Sequence, residues 1–284
     1  MARRRPILVW MRRVGFTAGL VLALLVLAPQ AAFAAPHGHP ARRLPAPIAC
    51  EGCWHPSLNT SWQWQLSGAV DTSLDVQMYD IDGFENGAGV VSGLHSDGRK
   101  VVCYISAGSW ENWRPDAGRF PESVKGAPNG WPGERWLDIR RLGALGQIMR
   151  DRVKMCAKRG YDAVEFDNVD GFQNRTGFPL TGADQLRYNV FLANLAHKHA
   201  MSAVLKNDVG QTSKLLPYFD IALNEQCFQY SECGKLRAFV NAGKPVFGVE
   251  YKLDTSQFCP EANAMDFNFL KKRLSLGTWR VPCR

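Results

Sequence analysis

The chain has 284 residues, with 34 Lys and Arg against 26 Asp and Glu, a formal charge of +8. Five of the positive charges, Arg3, Arg4, Arg5, Arg12 and Arg13, fall in the first thirteen residues with no acid among them, which leaves +3 for the remainder. So small an excess argues against a nucleic-acid binder that gains affinity by neutralising phosphates, and the roughly 250 residues beyond the first 34 suit one large α/β domain.

In chain order, "MARRRPILVWMRR" is cationic, "VGFTAGLVLALLVLA" is apolar and "AFAA" offers small residues for cleavage after Ala34. Residues 1–34 therefore read as a secretory signal peptide. The mature protein is expected to be secreted and extracellular, without a membrane anchor. Residues 35–49, rich in Pro, Arg and His, read as a flexible leader before a domain spanning 50–284.

Short apolar or alternating runs then recur. Strands are expected near 62–66 (WQWQL), 74–80 (LDVQMYD), 100–106 (KVVCYIS), 162–167 (DAVEFD), 202–206 (SAVLK), 219–224 (FDIALN), 245–250 (PVFGVE) and 277–281 (GTWRV). Between them the spacing shifts to three and four. Leu142, Leu145, Met149, Val153 and Cys156 form a stripe that ends at Gly160. "TGAD" at 181–184 is a capping-box signal for the helix carrying Leu186, Val190 and Leu195. Further helical stretches end at "NAGK" (241–244) and cover 261–275. Eight strands alternating with helices predict a (β/α)8 TIM barrel, with the first helix reduced to a short connection.

All eight cysteines lie beyond the signal segment, and an even number in an exported chain reads as a disulfide framework. Cys103 falls on a strand and Cys156 on the helix expected to pack against it. Cys227 and Cys233 are near enough in sequence to staple one loop. Cys50 and Cys53 have zinc-like spacing, but no second CxxC or His pair completes a ligand set. The partners of Cys50, Cys53, Cys259 and Cys283 stay open, and neither a metal nor a cofactor is expected.

A barrel of this kind places its chemistry at the C-terminal ends of its strands. Those ends carry Asp80 and Asp82; Tyr104 and Ser106; Asp167, Asn168 and Asp170; Lys206 and Asn207; Glu225; and Glu250 and Tyr251. An acidic mouth follows. Asp167 and Glu225 are expected to be the catalytic pair, since glycosidic cleavage needs one carboxyl to protonate the leaving oxygen and one to attack or stabilise the anomeric carbon. Glu165, deeper on the same strand face as Asp167, is expected to pair with Lys206 as support. The other strand-end residues would hold a sugar. The stretch from 107 to 137 is too long for an ordinary connection. Its Trp110 and Trp113 are candidates for a sugar platform, with Glu111 and Arg114 near them and Trp136 in the core. Two other readings use the same residues: a non-catalytic carbohydrate-binding barrel, and a metal-assisted hydrolase built on Asp80, Asp167 and Asp170.

The motifs "WQWQLSG", "YDID", "VVCYISAGSWENWRPD", "RWLDI", "VEFDNVDGF", "LKND", "NEQC" and "VEY", in this order, resemble the endo-α-1,4-polygalactosaminidases, glycoside hydrolase family 114. The resemblance runs from about Trp62 to Trp279. It implies a (β/α)8 barrel, hydrolysis within α-1,4-linked galactosamine polymers, and catalytic carboxylates at Asp167 and Glu225. A retaining scheme with Asp167 as nucleophile and Glu225 as general acid/base is expected of a monomer. Ammonium groups on such a cationic amino-sugar polysaccharide would be drawn to an acidic mouth.

Overall fold

Period-two alternation settles where each strand faces. In 163–167, Val164 and Phe166 join one buried cluster while Glu165 and Asp167 point to the opposite side. Repeated over neighbouring strands, that pattern gives a sheet with two apolar faces that must both be covered. The computed structural model describes residues 43–284, and it solves this with a sheet rolled into a nearly closed barrel. The expected signal peptide and residues 35–42 lie outside the described residues.

The barrel runs in the order β1 (Trp62–Gln65), β2 (Met78–Asp82), β3 (Lys100–Ser106), then, after an insert, β7 (Ala163–Asp167), β8 (Ser202–Lys206), β9 (Ile221–Glu225), β10 (Val246–Glu250) and β11 (Asn268–Lys272). These strands pair in parallel. A short β12 (Arg280–Pro282) pairs antiparallel to β11. Side chains bridge the seam: Trp62 Nε1 donates to the Asn268 carbonyl at 3.0 Å and Gln63 Nε2 to the Thr278 carbonyl at 2.7 Å. The Leu66 amide adds a bond of 2.9 Å to the Leu276 carbonyl.

The inward face packs Trp62, Trp64, Met78, Val102, Ala163, Leu223, Phe247 and Leu270 into a filled interior. The outward face meets α1 (Ala88–Ser96), α2 (Leu142–Arg159), α3 (Gly182–His197), α4 (Thr212–Leu215), α5 (Arg237–Asn241) and α6 (Thr255–Ala264). Burying a side chain such as Phe166 or Val164 there is worth roughly 1.5–3 kcal/mol. The expected stripe on α2 is buried from Leu145 to Cys156, and its helix stops at Gly160 in the left-handed region. The Thr181–Asp184 capping box opens α3. Disulfides join Cys103 of β3 to Cys156 of α2, Cys227 to Cys233, Cys50 to Cys53, and Cys259 to Cys283.

Three expectations of the sequence are corrected. The segment 261–275 is not one helix: α6 ends at Ala264, Asp266 takes a left-handed turn, and "NFLKK" becomes the eighth parallel strand. The apolar pair in that run looks helical only when joined to α6. The expected strand at 277–281 reduces to β12 at the antiparallel edge. Residues 45–48 are not free leader. The Ile48 amide donates to Asn194, Asn194 donates to the Ala46 carbonyl and Tyr218 to the Pro45 carbonyl, because α3 and the turn after α4 present buried polar groups that need partners.

The insert between β3 and α2 is a small antiparallel sheet in the order β4 (Ser109–Glu111), β6 (Glu134–Leu137), β5 (Lys125–Pro128). It stands beside the C-terminal end of β3.

Candidate active site

The inward alternation places Asp167, Lys206 and Glu225 at the C-terminal ends of three successive strands, β7, β8 and β9. Each is followed by a left-handed residue, Asn168 (φ 61°), Asn207 (φ 52°) and Gln226 (φ 64°). Such a turn bends the chain sharply away and leaves the preceding side chain at the mouth. Asn tolerates this conformation, but Gln seldom adopts it, which marks a locally strained position. The loop after β3 comes so close that a Cβ on Gly108 would lie 1.6 Å from the Asn168 carbonyl oxygen. Only glycine fits there.

Lys206 is the hub. Its buried Nζ lies 2.9 Å from Asp167 Oδ1, 3.0 Å from Glu225 Oε2 and 3.4 Å from Glu165 Oε1, and 4.7 Å from the centre of the Trp64 ring. Burial disfavours the ammonium, but the charges of Asp167, Glu225 and Glu165 outweigh it and hold the Lys206 pKa well above its usual range. For Asp167, burial raises the pKa, yet Lys206, the Asn168 backbone and Tyr104 together bring it below the ordinary value. Tyr104 donates to Asp167 Oδ2 at 2.9 Å. Asp167 is thus an ionised carboxylate at neutral pH. Glu225 accepts a short hydrogen bond from the Tyr251 hydroxyl, and its amide donates to Asn207 Oδ1 at 2.9 Å.

One layer below, Glu165 accepts from Trp64 Nε1 at 3.1 Å. No fixed donor reaches either oxygen of the buried Asp80. The neighbouring Glu165 carboxyl opposes ionisation of Asp80. Burial first, then the charge of Glu165, pushes Asp80 well above the usual carboxylate range, while burial pushes Glu165 up to about 7 against the pull of Lys206.

Above this layer opens a cavity of about 370 Å³, lined by Asp167, Asn168, Asp170, Lys206, Asn207, Glu225, Tyr104 and Tyr251 from the strand ends. Its lining also includes Asp82, Glu85, Glu111, Trp113, Arg114, Trp131 and Glu134, with Trp64 at its floor and Leu274 to Leu276 at its rim. Seven carboxylates face two cations in that lining. Burial, followed by the charge of Asp167, pushes Asp170 up to about 6.

Four residues expected to hold a sugar do not reach the cavity. Asp80 faces inward but lies too deep. Glu250 belongs to the outward set of β10, one residue off Val249 and Tyr251, and accepts from the Phe228 and Gln229 amides at 2.9 and 3.3 Å. Ser106 is buried against Ser109 and Asn168. Trp110 packs against the core, where its Nε1 donates to the Ala117 carbonyl and Lys125 covers its ring. Asp82 does line the cavity, but both its oxygens are taken by the Arg114 guanidinium at 2.9 and 2.7 Å. Sequence reasoning missed Trp64, Trp131 and Glu134. The alternation in "WQWQL" signalled the first. The other two sit in the insert, whose folding back over the mouth has no local signature.

The chain matches the model of glycoside-hydrolase family GH114 over residues 45–284. Among solved structures it is similar to Aspergillus fumigatus Ega3 in complex with galactosamine, at 40% identity and a TM-score of 0.79, over 84% of this chain and 99% of that one. The glycoside hydrolase domain of PelA from Pseudomonas aeruginosa shares the fold at 13% identity and a TM-score of 0.62, over 78% and 97% of the two chains. Among curated proteins none matches.

Proposed function

Because this chain belongs to glycoside-hydrolase family GH114, we propose that it is a secreted endo-acting hydrolase of α-1,4-linked galactosamine-containing polysaccharide, working by retention with Asp167 as nucleophile and Glu225 as general acid/base. The observation that carries the mechanism is the shared ammonium. Asp167 Oδ1 and Glu225 Oε2 lie 2.9 and 3.0 Å from one nitrogen, so those two oxygens are at most 5.9 Å apart, the two contacts laid end to end. Retaining enzymes hold their carboxyls about 5–5.5 Å apart and inverting ones about 6.5–9.5 Å, to leave room for a water.

In this scheme the Asp167 carboxylate forms a bond to the anomeric carbon as the glycosidic C–O bond breaks, and the proton of Glu225 goes to the departing oxygen. Glu225, now ionised, takes a proton from water. The oxygen of that water attacks the anomeric carbon and expels Asp167 as carboxylate. Lys206 and Tyr104 keep Asp167 charged and aligned, and Tyr251 and Asn207 orient Glu225. The excess of carboxylates in the cavity favours a polymer carrying ammonium groups over a neutral glucan.

Asp80 stays beneath the cavity that Asp167 and Asp170 line, so these three acids do not converge as a metal-ligand set. Secretion fits a framework of four disulfides, which persist in oxidising compartments. The test is cleavage of deacetylated and N-acetylated galactosamine oligomers, with the anomeric configuration of fresh product followed by NMR. Retained α-configuration is expected. An inverted product would remove the nucleophile assignment, and no cleavage of either oligomer would remove the substrate.

A further inference from the structure

The pocket acids differ in what already holds them. Asp82 and Glu111 pair with Arg114, and Asp167 and Glu225 with Lys206. Glu134 lines the same cavity and has no cation partner among the described residues. Its Oε2 is fixed twice, by Ser109 Oγ at 2.8 Å and Asn129 Nδ2 at 2.6 Å. No donor among the described residues reaches Oε1.

The same Asn129 accepts from the Trp131 amide at 3.0 Å, and the Glu134 amide donates to the Trp131 carbonyl at 3.1 Å. Between them Gly133 sits at φ +85°, where a Cβ would come within 2.6 Å of Asn112 and 3.0 Å of the Trp113 ring. One tight segment therefore fixes an aromatic face and a carboxylate side by side. Trp131 and Trp113 are 52% and 49% exposed, a large apolar surface to leave in water at a pocket wall. From Glu134 Oε2, three hydrogen-bond steps through Ser109 and Asn168 lead to Asp167.

We infer that Trp131 and Glu134 form a subsite for an ammonium-bearing sugar unit adjacent to the one being cleaved, an assignment that rests on the galactosamine reading above. The C–H face of the ring lies on the indole, and the ammonium meets the unpaired oxygen of Glu134. Trp113 borders the same subsite.

The test is calorimetric titration of an α-1,4-galactosamine tetramer, and of its N-acetylated counterpart, into Asp167→Asn protein with and without Glu134→Gln. The glutamine keeps an oxygen for Ser109 and Asn129, and thermal unfolding of each variant checks the fold. Glu134→Gln should weaken the deacetylated tetramer about tenfold, the loss of one charge-assisted contact, and change the acetylated one less than twofold. Trp131→Ala should weaken both by a similar factor. Equal losses for both tetramers on Glu134→Gln, unchanged affinity, or no measurable binding of the deacetylated tetramer would each overturn the subsite. Turnover by the native protein is measured separately. Glu134-dependent binding without turnover would sink the catalytic reading alone, and turnover with Glu134-independent binding would sink the subsite alone.

Discussion

Among the described residues, two buried cationic centres gather acids, and they hold them in different ways. Beneath the insert, Arg114 grips both oxygens of Asp82 and reaches Glu111 at 2.7 Å, while Arg152 grips both oxygens of Asp116 at 2.8 Å. At the strand ends, Lys206 offers one ammonium to Asp167, Glu225 and Glu165 together. A guanidinium fork saturates a carboxylate and removes it from reaction. A point charge shared three ways holds Asp167 ionised and keeps its neighbours near, yet leaves oxygens for substrate. The contrast separates structural from catalytic acid clusters when both are buried and both are paired.

The sharpest way to break that contrast is Asp167→Asn. It keeps the shape and removes the charge, so the fold should survive while kcat falls on the order of 10³-fold or more. Retention of a tenth of the native rate by a folded variant would return the cluster to a structural role. Glu225→Gln should be nearly as damaging on natural linkages and much milder on a substrate whose leaving group needs no proton. Equal damage on both would deny Glu225 its part as the acid.

Removing the two cations should then give opposite signatures. Lys206→Met is expected to cost about 10²-fold or more in kcat, since the charge of Asp167 and the alignment of both proposed catalytic acids depend on it. Arg114→Met strips Asp82 of its cation, leaving it only the Phe84 and Glu85 amides, and leaves Glu111 only a distant Arg152, so it should cost about 3–5 kcal/mol of stability. Urea unfolding and kinetics on both variants decide it. Matching profiles would erase the distinction.

Another buried acid, Asp208, has no cation partner among the described residues. Asp208 accepts one bond from Asn189 at 2.9 Å, and burial, then the charge of Asp170, pushes its pKa up to about 8 from an ordinary 3.8. Below about pH 4 folded and unfolded chains both hold this proton, and nothing is lost. As pH rises from 4 to 8 the unfolded chain releases it first, so the acid progressively destabilises the fold. Asp208→Asn should therefore leave stability unchanged near pH 3.5 and raise it by on the order of 2 kcal/mol at pH 7. Asn also suits the left-handed backbone at this position, φ 42°. A gain of the same size at both pH values would show that the backbone, not the buried carboxyl, is responsible.

Much of this was legible in the chain. Alternation in "AVEFD" put Glu165 and Asp167 on one face, and strand-end placement selected Asp167, Lys206 and Glu225 before any coordinate. The errors have separate physical origins. The strand expected at 74–80 runs instead over Met78–Asp82, so Asp80 keeps its inward face but lies a layer below the strand end. Glu250 does end its strand, but alternation from the inward Phe247 and Val249 turns it to the opposite face.

The sequence by itself determined the strand and helix periods, the glycine and asparagine turns and which acids stand at the inward ends of β7 and β9, because these depend on side-chain chemistry within a few residues. The tertiary structure decided how far each acid stands from Lys206, that Asp80 and Glu165 are buried beside each other, and that Trp131 and Glu134 belong to the same cavity as Asp167. Those properties depend on contacts between residues far apart in the chain, 39 positions for Asp167 and Lys206. No local pattern encodes the distance across a barrel mouth.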